Sequence, residues 1–370
     1  MVARKISFKL ALLLSFYLVA SFIIVALLAA PILVDKRIGM ITLSNFQGHR
    51  PFQYRVLMPL VIRAIEAAIP IKVKDTVTRI AAPKILANME NREVAIEKAE
   101  VISNHIFRSV LYIGLNILMM FLFLISLRLL ASTLDIFPSL WIDIAPLGMV
   151  LVMPIFYDCA VYMFDFPHLV LFTLGMYLLY KQNWALYLIV LGVSILNKET
   201  GILMVVIFAI VYISRMDRAR FIKLLGIQIA IFLVIKISLY TIFRDLPGGF
   251  VEWRLGDNIE HLAKLSNYFR FTPTGRSMLL PINLNIPLPR GINLPMFVAI
   301  VLVVWYRWRE KPLFLRKALG YLVVVVPLAL TMGLVFELRA YFDVLPIIYL
   351  LGAAGIYKFI ARFDGKISES

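Results

Sequence analysis

Residues 157–201 read YDCAVYMFDFPHLVLFTLGMYLLYKQNWALYLIVLGVSILNKETG and place ionisable side chains within sequence as apolar as a membrane helix. Asp158 and Asp165 precede one short apolar segment, and Lys198 and Glu199 end the next one. A charged side chain at bilayer depth costs about 2.5–3.5 kcal/mol on insertion scales, so such residues usually face a cavity and serve a function there. If both segments cross a membrane, their charged ends meet on the same side.

The composition indicates an integral membrane protein. Of the 370 residues 62% are hydrophobic and only 16% are charged, and the mean hydropathy is +0.89. Residues 1–370 are expected to form a single helical transmembrane domain. The single cysteine, Cys159, excludes an intrachain disulfide, and no cysteine or histidine cluster indicates a zinc site. The net charge of +16 is not taken to indicate nucleic acid, because the cations must first be placed relative to the membrane.

The apolar segments predict an all-α, polytopic fold with about ten membrane segments. Several are shorter than the roughly 20 residues that a full span needs, and short helices of this kind are expected to line a cavity. The first segment is longer than the apolar part of a signal peptide, about 7–15 residues, so we expect an uncleaved span. The segments are roughly 10–34, 106–130, 139–157, 166–180, 184–196, 201–214, 222–242, 292–306, 318–336 and 344–358.

The distribution of lysine and arginine predicts the orientation. Under the positive-inside rule the side that collects these residues is cytoplasmic, which places both termini in the cytoplasm and the chain in a plasma (inner) membrane. Two long loops, about 36–105 and 243–291, then lie on the extracytoplasmic side. The cytoplasmic cations are Arg128, Lys181, Arg215, Arg218, Arg220, Lys223, Arg307, Arg309, Lys311, Arg316, Lys317, Lys358, Arg362 and Lys366.

Each long loop is expected to carry an amphipathic helix. In the second loop, Asp257 and Glu260 fit a capping box at the start of a helix. In the first loop, apolar residues recur at helical spacing and predict a helix lying in the membrane interface. These residues are Leu57, Leu60, Val61, Ala64, Ile65 and Ala68.

The sequence GHRPFQYRVLMP begins just upstream of this helix. It offers His49, Arg50, Tyr54 and Arg55 to a phosphate at the membrane surface, whereas the simpler interpretation is a helix that only lies in the interface.

Charged residues recur at three of the predicted outer turns. Asp158, Tyr162 and Asp165 are spaced to share one face if their segment is helical. In NKET, Lys198 and Glu199 could form a structural ion pair or a site, with Arg339 as a further neighbour in space. ELRAYFD repeats the pattern with Glu337, Arg339, Tyr341 and Asp343.

Several common sites are not indicated by the sequence. His49, His105, His168 and His261 are scattered without metal-ligand spacing and are interpreted as interfacial or packing residues. No GxSxG, GxxxxGK[ST] or GxGxxG motif is present, so neither hydrolase nor nucleotide-loop chemistry is indicated.

Taken together, the long first outer loop, the short middle helices and a few motifs resemble the GT-C superfamily. These are integral membrane glycosyltransferases that use polyprenyl-phosphate sugar donors. The motifs are an outer turn with Tyr157, Asp158, Tyr162 and Asp165, the Asn197–Thr200 turn, and the late Glu337 and Arg339.

The resemblance implies an inverting transfer, in which a carboxylate takes the proton of the acceptor hydroxyl and cations hold the leaving lipid phosphate. It implies a polyprenyl-phosphate-linked sugar and membrane lipid as partners. No cofactor is indicated, and a divalent cation between carboxylates stays open. The candidate proton acceptors are Asp158, Asp165, Glu199 and Asp35. The candidate binding residues are Lys198, Arg339 and Arg55, with Glu337, Tyr54 and Tyr162 beside them.

Among the acids we expect Asp158 to be the base, because it directly follows an apolar segment and desolvation would raise its pKa. Asp165 precedes Phe166-Pro167, where a helix start would use it as a cap. The family usually places an acidic residue, often a pair, early in the first outer loop, and in this chain that region offers only Asp35. We also expect Glu199 and Glu337 to orient the cations beside them.

Two other classes of function stay open. A transporter or flippase of lipid-linked glycans would also carry intramembrane charges, but it commonly shows two related halves, and no such repeat is seen in the sequence. A non-catalytic membrane assembly protein would keep the fold and dispense with the acids.

Overall fold

The chain is described by a computed structural model that covers residues 2–28, 33, 35–90, 101–156, 161–273 and 286–363. Within these residues it forms helices and one short pair of strands. The α-helices are α1 Val2–Leu28, α2 Met40–Ser44, α3 Leu57–Ala68, α4 Ile71–Glu90, α5 Ile106–Thr133, α6 Ser139–Phe156, α7 Asp165–Tyr180, α8 Trp184–Asn197, α9 Leu203–Tyr212, α10 Arg218–Ile242, α11 Leu255–Ala263, α12 Leu294–Trp305, α13 Leu313–Leu319, α14 Leu322–Met332 and α15 Leu345–Phe363.

Shorter elements join these helices. Strands β1 (Phe271–Pro273) and β2 (Pro287–Pro289) pair antiparallel, a feature that the all-α prediction did not include. Tight 3₁₀ turns cover Phe52–Tyr54, Glu199–Ile202, Leu265–Phe269, Trp308–Glu310 and Leu338–Tyr341.

Six stretches of helix are long and apolar enough to cross a membrane, so the multi-pass membrane character expected from composition is supported. Helices coincide with all of the predicted apolar segments, but the helices outside these six stretches are shorter than a full membrane span. The six stretches are Phe8–Leu28, Ile106–Thr133, Ser139–Phe156, Arg218–Ile242, Leu313–Met332 and Leu345–Arg362, and shorter apolar helices cover Trp184–Asn197, Glu199–Tyr212 and Leu294–Trp305.

Helix α7 lies at the centre of the bundle, where it packs against α5 and α8. Its side chains are buried on nearly every face, including Phe166 and Phe172, which explains why its sequence shows no polar stripe. Helix α10 lies at the opposite extreme: only 11% of its apolar stretch is buried within the protein. A helix this apolar and this exposed is expected to face lipid.

Helix α3 forms where the first-loop pattern predicts it, but its buried face differs from the predicted stripe. Met58, Pro59 and Ile62 are buried, whereas Leu60 is 49% exposed. The helix packs against α5 and α8. Val61 and Ile65 of the predicted stripe are partly buried against the same core as Met58 and Ile62, and Leu60 is left outward.

The capping box predicted for the second loop does not form. Arg254 occupies the N-cap position of α11, and no side chain caps the helix. Asp257 instead pairs with Arg254, and Glu260 pairs with Lys264. The reason is that nearby arginine and lysine side chains compete with the backbone for these carboxylates.

One of the contacts between the two long loops is made by their backbones. The backbone N–H of Arg50 donates to the carbonyl of Pro247 at 2.8 Å, and a parallel bridge joins Arg50 to Gly248. Gly248 adopts φ +96°, and a Cβ there would collide with the Arg50 carbonyl. Glycine is therefore required at this crossing. The contact holds both loops over the same end of the bundle.

Candidate functional site

A cavity of about 300 Å³ lies at this end of the bundle. It brings together most of the site residues predicted from sequence, although they come from widely separated segments. These residues are Asp35, Arg55, Tyr162, Asp165, Lys198, Glu337 and Arg339. The remaining wall is formed by Arg37, Ile38, Phe52, Phe164, Glu252, Arg254, Met332, Gly333 and Leu334.

Helix ends account for this convergence. Helix α7 begins at Asp165 and the neighbouring α8 ends at Asn197, one residue before Lys198. Because the two helices are antiparallel neighbours, the start of one and the end of the other lie together. The expectation that these two charged ends meet is confirmed for Asp165 and Lys198, both of which line the cavity.

One wall of the cavity is a stack of two guanidinium groups and two aromatic rings. The guanidinium carbon of Arg339 lies 3.8 Å from the centroid of the Tyr162 ring. Tyr162 stacks on Phe164 with centroids 5.3 Å apart, and Arg55 lies 4.1 Å from the centroid of Phe164. Such contacts hold planar cations in fixed orientations. Sequence analysis singled out Tyr162 and both arginines, but it missed Phe164.

Each arginine in the wall has a carboxylate partner. Arg339 pairs with Glu337 at 2.9 Å, which agrees with the expected orienting role of Glu337. Arg37 and Arg254 both pair with Glu252. This shared partner ties the first long loop to the second long loop across the cavity, through residues that sequence analysis did not select.

Lys198 differs from the arginines. Its side chain is buried, with 7% of the residue exposed, and it lines the cavity. In the part of the chain that the structure describes, no carboxylate lies within 4 Å of its ammonium group and no hydrogen bond engages it. The ammonium group faces the cavity, where water or an anion can contact it. An anion in the cavity would therefore be stabilised more by Lys198 than by the arginines, which already have carboxylate partners.

Asp165 is almost fully buried, with 1% of the residue exposed. It is the first residue of α7, the N-cap position belongs to Phe164, and the Asp165 side chain does not cap the helix as expected. Its carboxylate instead accepts the backbone N–H of Tyr162 at 2.9 Å. Arg339, Lys198 and Arg55 all attract this carboxylate electrostatically. Asp165 thus lies among the cavity cations.

Asp35 also lines the cavity, but its carboxylate is already engaged by the loop that carries it. One oxygen accepts the backbone N–H groups of Arg37 at 2.7 Å and Ile38 at 3.0 Å. This arrangement stabilises the turn at the start of the first loop.

Glu199 does not orient Lys198, contrary to expectation. Its two oxygens accept from Arg55 at 3.1 and 2.5 Å, a bidentate pair that fixes Arg55 in the cavity wall. Burial alone would raise the pKa of Glu199, but Arg55 and Lys236 lower that pKa to about 2. A carboxylate of such low pKa is a weak proton acceptor.

A buried polar cluster lies at the adjoining ends of α7 and α15. His168 and Asp343 are fully buried and bonded to each other through Nε2 and Oδ1, and Thr200 Oγ1 lies 3.4 Å from His168 Nε2. His168 was interpreted from sequence as an interfacial or packing residue; it is buried, and it bonds to Asp343, a partner that this interpretation did not include. The cluster links α7, the Lys198–Thr200 turn and the start of α15, and Arg339 lies one helical turn before Asp343.

Tyr54 lies outside the cavity wall and contacts Lys236 and Phe250 instead. Asp158, the expected base, lies outside the described residues.

Among the described residues, no group of three or more histidine, cysteine, aspartate or glutamate side chains is placed to hold a metal ion. Comparison with known proteins adds no identity: no family model, no curated protein and no solved structure matches this chain.

Proposed function

We propose that this chain is a membrane glycosyltransferase that moves a sugar from a polyprenyl-phosphate donor to an acceptor at the extracytoplasmic face. The observation that carries the proposal is the pairing, in one cavity, of a buried lysine without a carboxylate partner and a buried carboxylate. Lys198 suits an anion, and Asp165 lies close enough to be attracted by it. The resemblance of the surrounding motifs to the GT-C superfamily supplies the reaction class.

In the proposed step the acceptor hydroxyl attacks the anomeric carbon of the donor sugar. The new carbon–oxygen bond forms as the bond from that carbon to the lipid phosphate breaks. Asp165 takes the proton of the hydroxyl, and the phosphate leaves with the bonding electron pair. Lys198 and Arg339 hold the charge that develops on the phosphate.

Among the described acids Asp165 suits the base best. Asp35 is engaged by two backbone N–H groups, Glu199 by Arg55, and Glu337 by Arg339. Within the described residues, the carboxylate of Asp165 forms no ion pair within 4 Å and accepts a single backbone N–H, that of Tyr162. Asp158, favoured on sequence grounds, stays a prediction.

The membrane arrangement belongs to the same proposal. All ten apolar segments would cross the membrane, both termini would be cytoplasmic, and the cavity would open on the other side. The short apolar helices α8, α9 and α12 would leave room for the polyprenyl tail beside the bundle.

The test compares two variants of the anion site with a matched lysine control. Lys198→Met keeps the length of the side chain and removes its charge, and Arg339→Lys keeps the charge but loses the planar fork. Both should reduce retention of a radiolabelled polyprenyl-phosphate hexose by the purified protein by about tenfold or more. Lys181→Met, at the exposed turn between α7 and α8, should leave retention unchanged.

The same protein in sealed liposomes separates this proposal from its rivals. An enzyme releases sugar from the donor when acceptor is present, whereas a flippase moves the intact lipid and an assembly protein does neither. Undiminished retention in Lys198→Met, with the fold intact, would contradict the anion site. Intact donor appearing in the opposite leaflet without sugar release would favour the transporter.

A further inference from the structure

A second cationic cluster lies on the flank of the bundle, against α10. Lys236 lies six residues before the end of this helix at Ile242, which places it about 9 Å inside the helix end. Most of α10 faces outward from the protein, so a lysine at this depth needs a partner or a route to the surface. Its ammonium group lies 4.9 Å from the ring centroid of Tyr54 and 5.9 Å from that of Phe250.

The polar atoms beside Lys236 are also unsatisfied. Tyr54 is 2% exposed, and its hydroxyl has no hydrogen-bond partner within the described chain; neither has the buried Nε of Arg50. Burial raises the pKa of the Tyr54 phenol, and the neighbouring Arg50 guanidinium acts in the opposite direction. The Arg50 guanidinium therefore lies beside the Tyr54 phenol and interacts with it, while the phenol oxygen and Arg50 Nε still lack a partner of good hydrogen-bond geometry among the described residues. Buried polar groups in this condition usually mark a missing partner.

The local charge balance is positive. Arg55 and Glu199 neutralise each other, and Lys236 is attracted by the same glutamate from further away. Arg50 and Lys236 form no ion pair within 4 Å of a carboxylate in the described residues. Asp245, the acid in the adjoining turn, is 91% exposed and pairs with Arg244. An anion here would meet two cations and a phenol.

This cluster is separate from the cavity. Arg50, Tyr54 and Lys236 are not part of the cavity wall, and the Arg55–Glu199 pair stands between the two places: Arg55 lines the cavity, while Glu199 attracts Lys236. Tyr54 and Arg55 are consecutive in the chain, but Arg55 lines the cavity whereas Tyr54 contacts Lys236. The ring of Phe250, which is 53% exposed, lies near Lys236 and Tyr54.

We propose that Arg50, Tyr54 and Lys236 form a binding site for the phosphate of an anionic phospholipid at the lipid-facing flank of α10. The two cations neutralise the phosphate, and the phenol donates a hydrogen bond to it. The acyl chains of the lipid lie along the outward apolar face of α10. The depth of Lys236 matches a phosphate at the headgroup level, which the long lysine side chain reaches from inside the apolar layer.

The test measures phosphatidylglycerol retained by the purified full-length protein in a neutral detergent, by native mass spectrometry. Lys236→Met should reduce the affinity of one phosphatidylglycerol about tenfold, and Tyr54→Phe should reduce it several-fold. Arg244→Gln is the matched control, because Arg244 lies at the same helix end and pairs only with exposed Asp245. Phosphatidylcholine, which is zwitterionic, should bind weakly to all four proteins.

Tyr54→Phe also distinguishes binding from packing. If the hydroxyl has no ligand, its removal deletes a buried unsatisfied polar group, so Tm should hold or rise and lipid retention should not change. Equal retention by the parent, Lys236→Met and Tyr54→Phe would overturn the proposal. Full competition by inorganic phosphate would instead assign the site to a free anion. Neither result bears on the glycosyltransferase proposal, whose variants lie in the cavity.

Discussion

The role of Asp165 could be predicted only in part from its neighbours in sequence. An aspartate before Phe-Pro predicts a helix cap, yet the side chain turns back to the Tyr162 N–H and lies among three cations. The charge and the helix start were both predictable. The carboxylate is held by the nearby Tyr162 N–H, whereas the cations around it, Arg339 among them, include residues far away in sequence that a local pattern cannot predict.

The first prediction follows from this placement. Asp165→Asn keeps the shape of the side chain and an oxygen that can accept the Tyr162 N–H, so the fold should persist. Sugar transfer should fall by about 10²–10⁴-fold, because the amide cannot take the proton of the acceptor. Initial rates of sugar transfer, with donor retention measured in parallel, check it.

The result is decisive when Asp158→Asn is measured beside it. If Asp158→Asn loses transfer while Asp165→Asn keeps the parental rate, the base is Asp158, as the sequence alone indicated. Loss of folded protein in either variant shows as a shifted elution profile on size exclusion.

The direction of predicted binding residues was equally hard to predict, as Tyr54 and Arg55 show. Both were predicted to serve a phosphate site, and both are in or beside the 3₁₀ turn at Phe52–Tyr54. A tight turn sends consecutive side chains in different directions, so Arg55 enters the cavity and Tyr54 faces α10. Residue type could be recognised from sequence, whereas its direction needed the fold.

At the scale of elements, Asn258 joins α11 to the end of α14. Its side-chain amide donates to the carbonyls of Leu330 at 2.8 Å and Gly333 at 2.7 Å, with that of Ala329 sharing one of these hydrogens at 3.3 Å, and its oxygen accepts the N–H of Val335 at 2.9 Å. These carbonyls belong to the last turn of α14 and the residue after it, where helices leave such groups unpaired. A capping residue so far from its helix in sequence could not be recognised by motif.

The second prediction tests this connection. Asn258→Asp keeps the acceptor for Val335 but removes all donors to the carbonyls and buries a charge. The free energy of unfolding should fall by about 3 kcal/mol, from the unsatisfied carbonyls alone. Thermal unfolding in one fixed detergent measures the change.

Glu260→Gln on the same helix is the control. Glu260 is exposed and pairs only with Lys264, so Tm should not change measurably. An unchanged Tm in Asn258→Asp would show that α11 contributes nothing to holding the end of α14.

Helix α3 shows which features of an element a pattern can predict. Its extent agrees with the periodicity, but its buried side is the stripe with Met58 and Ile62. Hydrophobic periodicity identifies apolar faces without distinguishing a protein neighbour from lipid, because both are apolar. The same ambiguity applies to any helix at a membrane surface.

At the scale of the whole molecule, the predicted orientation gives the third prediction. With Cys159 replaced by serine, a cysteine at Asp257 should react with a membrane-impermeant maleimide added outside intact cells. A cysteine at Arg218 should react only after the membrane is opened. Gel shift of the labelled protein reports both.

The reverse pattern would place the cavity on the cytoplasmic side. The anion chemistry of Lys198 and Arg339 would stand, but the donor would have to be presented from the cytoplasmic leaflet.

Two arginines of the cavity wall and their shared partner Glu252 join loops that are far apart in the chain, and Asp35 and Arg339 bound the site at nearly opposite ends of the sequence. During synthesis the ribosome releases these segments one after another. The site in a nascent chain would therefore stay incomplete until Arg339 has been synthesised and inserted. Biogenesis itself would delay activity, and a chain cut short before that residue would enter the membrane as an inert protein.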